Sequence, residues 1–433
     1  MRGRSKRQKN ALTIITPIKP GEGTLKSLGD LLERINTGRS KHPVEFDKID
    51  TTCFASWIIL DRDPDGGDYP PALVFECNYE GSLDEYLDAF ITRAGDALRD
   101  IYAHCAGFTE KSNAFLRKYL LKHRKKHAAF FVGCPEQSRQ GIRQAKTIRD
   151  GIENVLDQNP MYSSRPQEIQ AAIRARVKSE LDGLITPIEK LQGRAFRNWV
   201  LVIVAAIVGF VFWVPAAVIW LLLIRRRENR ESSTPDTTKR EVDRRLFGSE
   251  DRYTQNHLTT LVQVQPGLFR LISLRVVLWL INFAAAHIYI TGALGGYPTR
   301  NGHRGGIATI HFARWLIIDT DQKGRNPRLL FLSNFDGSWN SYLGDFADKA
   351  PFGLNAVWGN TVAFPPTRFL FMGGSRAIDP FKQWSREHNL PANVWYSAYP
   401  EISVRNIITD IHIADQLDKQ LDDQQAREFL QLL

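Results

Sequence analysis

Phe54-Ala-Ser-Trp-Ile-Ile-Leu-Asp61 returns later in the chain as Phe312-Ala-Arg-Trp-Leu-Ile-Ile-Asp319, and Phe75-Glu-Cys-Asn-Tyr-Glu-Gly-Ser82 returns as Phe331-Leu-Ser-Asn-Phe-Asp-Gly-Ser338. The match runs outward from these blocks. Upstream, Leu12-Thr13 answers to Leu258-Thr259 and Pro20-Gly21 to Pro266-Gly267; downstream, Tyr119, His123 and Phe130 answer to Trp384, His388 and Trp395. Chance does not keep so many blocks in one order, so the chain is an internal duplication, and the repeat unit sets the fold.

Each copy carries the same succession of signals. A β-rich run ends in Pro-Gly and is followed by leucines at helical spacing (Leu25, Leu28, Leu32; Leu271, Leu274, Leu278), then by an apolar strand closing on Asp and a second short strand. A turn at Glu80-Gly81 or Asp336-Gly337 leads to Ser82 or Ser338, each placed to cap a helix that carries Tyr86-Leu87 or Tyr342-Leu343. A further helical stretch and a strand at 128–132 or 393–397 complete the set. The order β-α-β-β-α-β is that of a ferredoxin-like sandwich, so the sequence predicts an α+β chain of two such modules.

The organisation follows from the repeat. A basic leader (1–10) precedes module one (11–160), a helical stalk (161–198), an apolar segment (199–224), a charged linker (225–256), module two (257–410) and a C-terminal helix (411–433). No charged residue stands between Trp199 and Ile224, a stretch longer than the ~20 residues that cross a bilayer, so a helical membrane anchor is expected. Both of its flanks are basic, with Lys190, Arg194 and Arg197 before it and Arg225, Arg226 and Arg227 after it, so charge does not choose an orientation. Pairing of the two modules requires both on one side. That favours a re-entrant bend near Gly209 and Pro215 over a single span, and an inner or cytoplasmic membrane with module one in the cytosol.

A second apolar stretch, 268–294, aligns with the amphipathic helix at 24–36 of module one and is therefore the first helix of module two. Lys26, Asp30, Glu33 and Arg34 have become Ile272, Val276, Trp279 and Leu280, so this helix should pack on lipid or on the anchor.

A net charge of +10 and a pI near 9.4 favour anionic partners. The basic groups are not interleaved with aromatics and lie on no groove-reading helix, so specific nucleic-acid binding is not indicated, and membrane lipids are the simpler partner. Cys53, Cys77, Cys105 and Cys134 are widely spaced and form no zinc pattern; they read as buried, reduced thiols.

The blocks Phe312-Ala-Arg-Trp-Leu-Ile-Ile-Asp319 and Asn334-Phe-Asp-Gly-Ser-Trp339 resemble bacterial modules of the dimeric α+β-barrel superfamily, which includes dye-decolourising peroxidases and chlorite dismutases. That resemblance implies two sheets paired across a dimer axis, here the two modules of one chain paired into a barrel-like pseudo-dimer, and, in several members, haem. The peroxidases' Gly-x-x-Asp-Gly motif is absent, because Ser333 and Cys77 stand where its first glycine would be.

The candidate ligand-binding residues are His311, Arg314, Asn334, Asp336 and His388. An imidazole can serve as an axial haem ligand or as a base, and His311, which stands where copy one has Cys53, is the haem-ligand candidate. Arg314, read as sharing a strand face with His311, would give a cationic pair for a carboxylate or propionate. Asn334 and Asp336 also suit plain turn and cap chemistry, and His388 has its copy in His123, which suits shared packing. No protein metal site and no cofactor is predicted beyond haem at His311, and no catalytic set is evident. Two functions follow: a membrane-anchored module that binds a protein partner or an apolar ligand near the bilayer, or a haem-dependent oxidoreductase.

Overall fold

A computed structural model of the chain describes residues 7–158, 165–180, 188, 189, 191, 199–231, 240–248, 253–287, 309–320 and 324–433, without the side chains of 22, 180, 199–213, 231, 247, 248 and 285–287. Most of the basic leader, much of the stalk with Lys190, Arg194 and Arg197, the linker at 232–239 and the apolar residues 288–294 therefore lie outside the described residues.

The first copy runs β1 (Lys9–Pro17), α1 (Glu22–Asn36), β2 (Thr52–Leu60), β3 (Ala72–Glu80), α2 (Leu83–Tyr102), α3 (Asn113–Lys122), a two-residue β4 (Arg124–Lys125), β5 (Ala129–Val132) and α4 (Arg139–Gln158). Then come α5 (Pro166–Glu180) and α6 (Trp199–Glu231). The second copy runs β6 (Gln255–Gln263), α7 (Leu268–His287), β7 (Ile310–Ile318), β8 (Arg328–Asp336), α8 (Trp339–Lys349), α9 (Pro351–Trp358), the short pair β9 (Thr367–Arg368) and β10 (Met372–Gly373), α10 (Ile378–Glu387), β11 (Val394–Ser397), α11 (Val404–Leu417) and α12 (Asp423–Leu430). The chain is α+β, with antiparallel sheets. Ser82 and Ser338 cap α2 and α8 as their positions predict, Ser82 in a full capping box with Glu85.

The sheets differ from the expectation in one decisive respect. Their orders are β11-β2-β3-β1-β4 and β5-β7-β8-β6, so each module gives its last strand to the other. The modules are not self-contained ferredoxin-like sandwiches. After α3 the chain touches its own β1 only briefly, where Ile14 pairs with Arg124 and Ile15 N–H donates to the His123 carbonyl. Copy two repeats this, with Leu261 N–H donating to the His388 carbonyl. Each chain segment then crosses to the far edge of the other sheet, Phe130 facing Arg314 on β7 and Trp395 facing Ser56 on β2. Apolar alternation marks a strand but does not say which edge it will join.

Every position of β2 and β8, and every position of β3 after Ala72, is buried, because each strand is covered on both faces. Trp57 and Phe75 point toward the module-one helices, whereas Ile58, Leu60 and Val74 meet Leu261, Leu316, Leu330 and Leu332 of the other sheet. The two modules are thus one body, joined by an apolar layer between the sheets and by two exchanged strands.

α6 is one helix from Trp199 to Glu231 with Pro215 inside it, so the re-entrant bend expected there is absent. Among the described residues no helix is long and apolar enough to cross a membrane. A single crossing would also separate two modules that have exchanged strands. The start of the expected linker is the last turn of α6, and Arg240 ion-pairs with Asp65 of module one at 2.8 Å. The expected C-terminal helix is two helices, α11 and α12.

α4 packs on α11, as copy on copy, with Asp410 buried beside Arg149 at 3.9 Å and its Oδ2 without a hydrogen-bond partner. Burial pushes the Asp410 carboxyl up to about 6, with Arg149 and Lys146 pulling against it. The folded protein then holds a proton that the unfolded chain, with its carboxyl near 3.9, has released, so stability falls as pH rises from about 4 to about 6. Asp410→Asn should remove that slope and raise stability at neutral pH by up to about 3 kcal/mol. Urea midpoints of both proteins at pH 4 and pH 7 check this; an unchanged pH difference in the variant would acquit Asp410.

Candidate functional site

The polar centre of the molecule lies between the sheets. Glu76 on β3 projects into the layer between the sheets and is met there by module two: His257 Nε2 stands 3.3 Å from its Oε1, Asn334 Nδ2 donates to the same oxygen at 3.0 Å, and Arg314 Nε lies 3.7 Å from Oε2. Burial by itself would raise the Glu76 carboxyl, but the Arg314 guanidinium first, then His257 and Asn334, bring it down to about 2. Arg314, 1% exposed, reaches across the interface to the Leu12 carbonyl at 2.9 Å, Thr13 Oγ1 at 3.0 Å, the Cys77 carbonyl at 3.1 Å and Asn78 Oδ1. The guanidinium fork is filled by groups of the opposite module.

This cluster lies below a cleft of about 1160 Å³ between α1, β11 and the start of β6. Asp30 and Glu33 of α1 line one side, Tyr396 and Asn393 the other, and His257 and Trp395 line it as well. Trp395 Nε1 donates to Asn334 Oδ1 at 2.9 Å, so the cleft and the buried cluster share a hydrogen-bond chain. The volume and mixed lining suit an organic ligand of substantial size.

The expected residues divide accordingly. Asn334 and Arg314 belong to the cluster. His311 does not: its Nε2 is 2.7 Å from Asp336 Oδ1, its ring lies against Phe54 and Tyr399, and it is 3% exposed. Arg314 lies three residues beyond His311 on a strand whose register shifts at His311; His311 is taken by Asp336 and Arg314 by Glu76, so the expected cationic pair does not form. Asp336 Oδ2 accepts from Val404 N–H at 2.7 Å at the start of α11; Glu80 does the same for Arg139 N–H at 2.6 Å at the start of α4. Cys53 beside Glu80 is the counterpart of His311 beside Asp336. These are matched structural pairs in the two copies.

His388 has both ring nitrogens engaged, Nδ1 with the Trp384 carbonyl at 2.7 Å and Nε2 with Asp65 of module one at 3.1 Å. His123 Nδ1 makes the equivalent bond to the Tyr119 carbonyl at 2.9 Å. An axial haem ligand needs an imidazole nitrogen facing open space; Nε2 of His311 is held by Asp336 and the side chain is buried, so His311 does not suit that role. All four cysteines are buried and free, and among the described residues no cluster of three or more His, Cys, Asp or Glu could hold a metal ion. Sequence reasoning missed Glu76 and His257. The available signal was divergence between copies, since Glu76 stands opposite Leu332 and His257 opposite Ala11.

A second feature lies outside the cleft. Ten of the fifteen exposed large apolar side chains among the described residues are on α6 and α7, among them Val218, Ile219, Leu222, Ile272, Val276 and Trp279. The two helices meet where Trp220 Nε1 donates to Ser273 Oγ at 2.8 Å and Arg227 covers the Phe269 ring at 4.8 Å. The contact with α6 uses Ser273 and Phe269, whereas Ile272, Val276, Trp279 and Leu280, which replace the polar residues of module one, stand exposed. Arg226 and Arg275 are exposed beside this face.

Comparison with family models, with curated proteins and with solved structures found no match.

Proposed function

We propose that the chain is a membrane-surface binding protein: a duplicated module pair of the dimeric α+β-barrel kind that rests on the bilayer through α6 and α7 and presents its cleft to a ligand or protein partner. The observation that carries the reading is the concentration of exposed apolar side chains on those two helices, an arrangement that in a water-facing surface would be an aggregation liability. Trp279 within the face and Arg226 and Arg275 beside it match the amphipathic pattern of helices that lie in the interfacial plane of anionic membranes.

Chain reach supports the in-plane orientation. Glu228 near the end of α6 is held by Thr367, Phe369 and Leu370, and Leu191 N–H is held by the Glu136 carbonyl at 2.7 Å. Eight residue steps separate Leu191 from Trp199 and span at most about 28 Å. That is less than the ~30 Å hydrocarbon core the chain would have to recross as extended backbone if Trp199 lay on the far side.

The test is co-sedimentation with vesicles of phosphatidylcholine with and without phosphatidylglycerol. The full chain should pellet with the anionic vesicles, and Ile272→Asp combined with Val276→Asp and Trp279→Asp should weaken that partitioning by about 100-fold, on the transfer free energy of three partly buried apolar side chains. The intact chain remaining in the supernatant of both vesicle types would sink the reading.

A further inference from the structure

We infer that the Glu76–Arg314–His257 cluster is a pairing code between the two copies: it makes each sheet face fit the unlike module and rejects a second module of its own kind, whether from this chain or from another copy of it. Each of the three residues is peculiar to one copy. Glu76 stands where module two has Leu332, Arg314 where module one has Ser56, and His257 where module one has Ala11. The strand registers are the same in both copies, Ser56 opposite Glu76 and Arg314 opposite Leu332, so these positions are true equivalents.

The consequence follows from burial. Two module-one faces brought together in this geometry would bury two Glu76 carboxylates with Ser56 and Ala11 to meet them and no cation. Two module-two faces would bury two Arg314 guanidiniums against Leu332 with no carboxylate. Either arrangement leaves uncompensated charges in a layer that holds Ile58, Val74, Leu316 and Leu330, with only neutral polar groups such as Thr13, Asn78 and Asn334 beside them. The unlike pairing alone satisfies both, and covalent linkage of the modules then favours forming it within one chain. A duplicated domain with exchanged edge strands is otherwise well suited to swapping those strands with a neighbour, and the cluster works against like-with-like swapping.

The experiment gives each position the residue held by its copy. The full chain, with Glu76→Leu and Arg314→Ser, is unfolded in denaturant, refolded by dilution into detergent and weighed by light scattering on a sizing column. The wild type should refold as single chains. The double variant, whose two faces are nearly alike, should move material from the single-chain peak into two-chain and larger species. A quadruple variant that adds Leu332→Glu and Ser56→Arg moves the pair to the other copy and should return the single-chain profile. A double variant that refolds to single chains as completely as the wild type would overturn the inference. So would a quadruple variant as defective as the double, because the pair would then be a local support and not a code.

Discussion

Arg314→Ala should cost about 3–5 kcal/mol of stability, the penalty of leaving a buried carboxylate without its partner. Glu76 cannot relax toward solvent, since it is wholly enclosed between the sheets, and the groups left to it would be His257 and Asn334. A chemical denaturation curve measures the loss directly, and a midpoint shift worth less than 1 kcal/mol would show that the interface tolerates the lone carboxylate. The pH dependence gives an independent reading. The folded-state Glu76 carboxyl lies at about 2, below the unfolded value near 4.3, so it contributes stability that is present above about pH 4 and is lost as pH falls toward 2. That contribution is about 3 kcal/mol at full strength, and in Arg314→Ala most of it should vanish, flattening the acid limb of the stability profile.

The second large effect is expected at Glu228. Its carboxylate accepts from Thr367 Oγ1 at 2.8 Å, Phe369 N–H at 2.9 Å and Leu370 N–H at 2.8 Å. Phe369 and Leu370 hold φ values of 52° and 64°, a conformation that side chains other than glycine adopt at a cost. Glu228→Ala removes the acceptor that holds this turn and leaves backbone donors without partners, at roughly 1–3 kcal/mol each. Amide exchange at Phe369 and Leu370 should then speed up by about 100-fold or more, and α6 should lose its hold on module two. Glu228→Gln keeps an acceptor oxygen and should recover part of the protection. Exchange rates in Glu228→Ala equal to those of the wild type would show that the turn is held by something else.

Both predictions concern contacts between segments far apart in the chain, and that separates what was legible from what was not. The duplication, the helix caps at Ser82 and Ser338, the strand blocks and the apolar character of α7 are local patterns, and local patterns are written in residue type and spacing. The assignment of the last strand of each copy was not legible. A strand reads the same whether it joins its own sheet or its neighbour's, and the brief pairing of Ile14 with Arg124 shows the chain passing its own sheet edge before it crosses.

The candidate site shows the same division. Asn334 and Arg314 could be singled out because they stood in or beside the repeat blocks, but Arg314's partner, Glu76, lies in the other copy and is distant in sequence. His311 looked equally promising, yet its neighbour across the strands is Asp336, which satisfies it locally. Copy comparison held the needed signal: Glu76, His257 and Arg314 are among the places where an apolar or small residue in one copy is charged or ionisable in the other. Sequence alone shows such a difference without showing that the three meet.

By itself, then, the sequence determined that this protein is two copies of one α+β unit separated by an apolar segment, because repeat blocks, caps and hydrophobic periods act over a few residues. Only the tertiary structure decided that the copies exchange strands, that Glu76 and Arg314 are mutual partners, and that α6 is one helix that meets α7 through Trp220 and Arg227. Those outcomes depend on which buried surfaces and charges meet once the chain has closed on itself, and spacing along the chain does not encode that meeting.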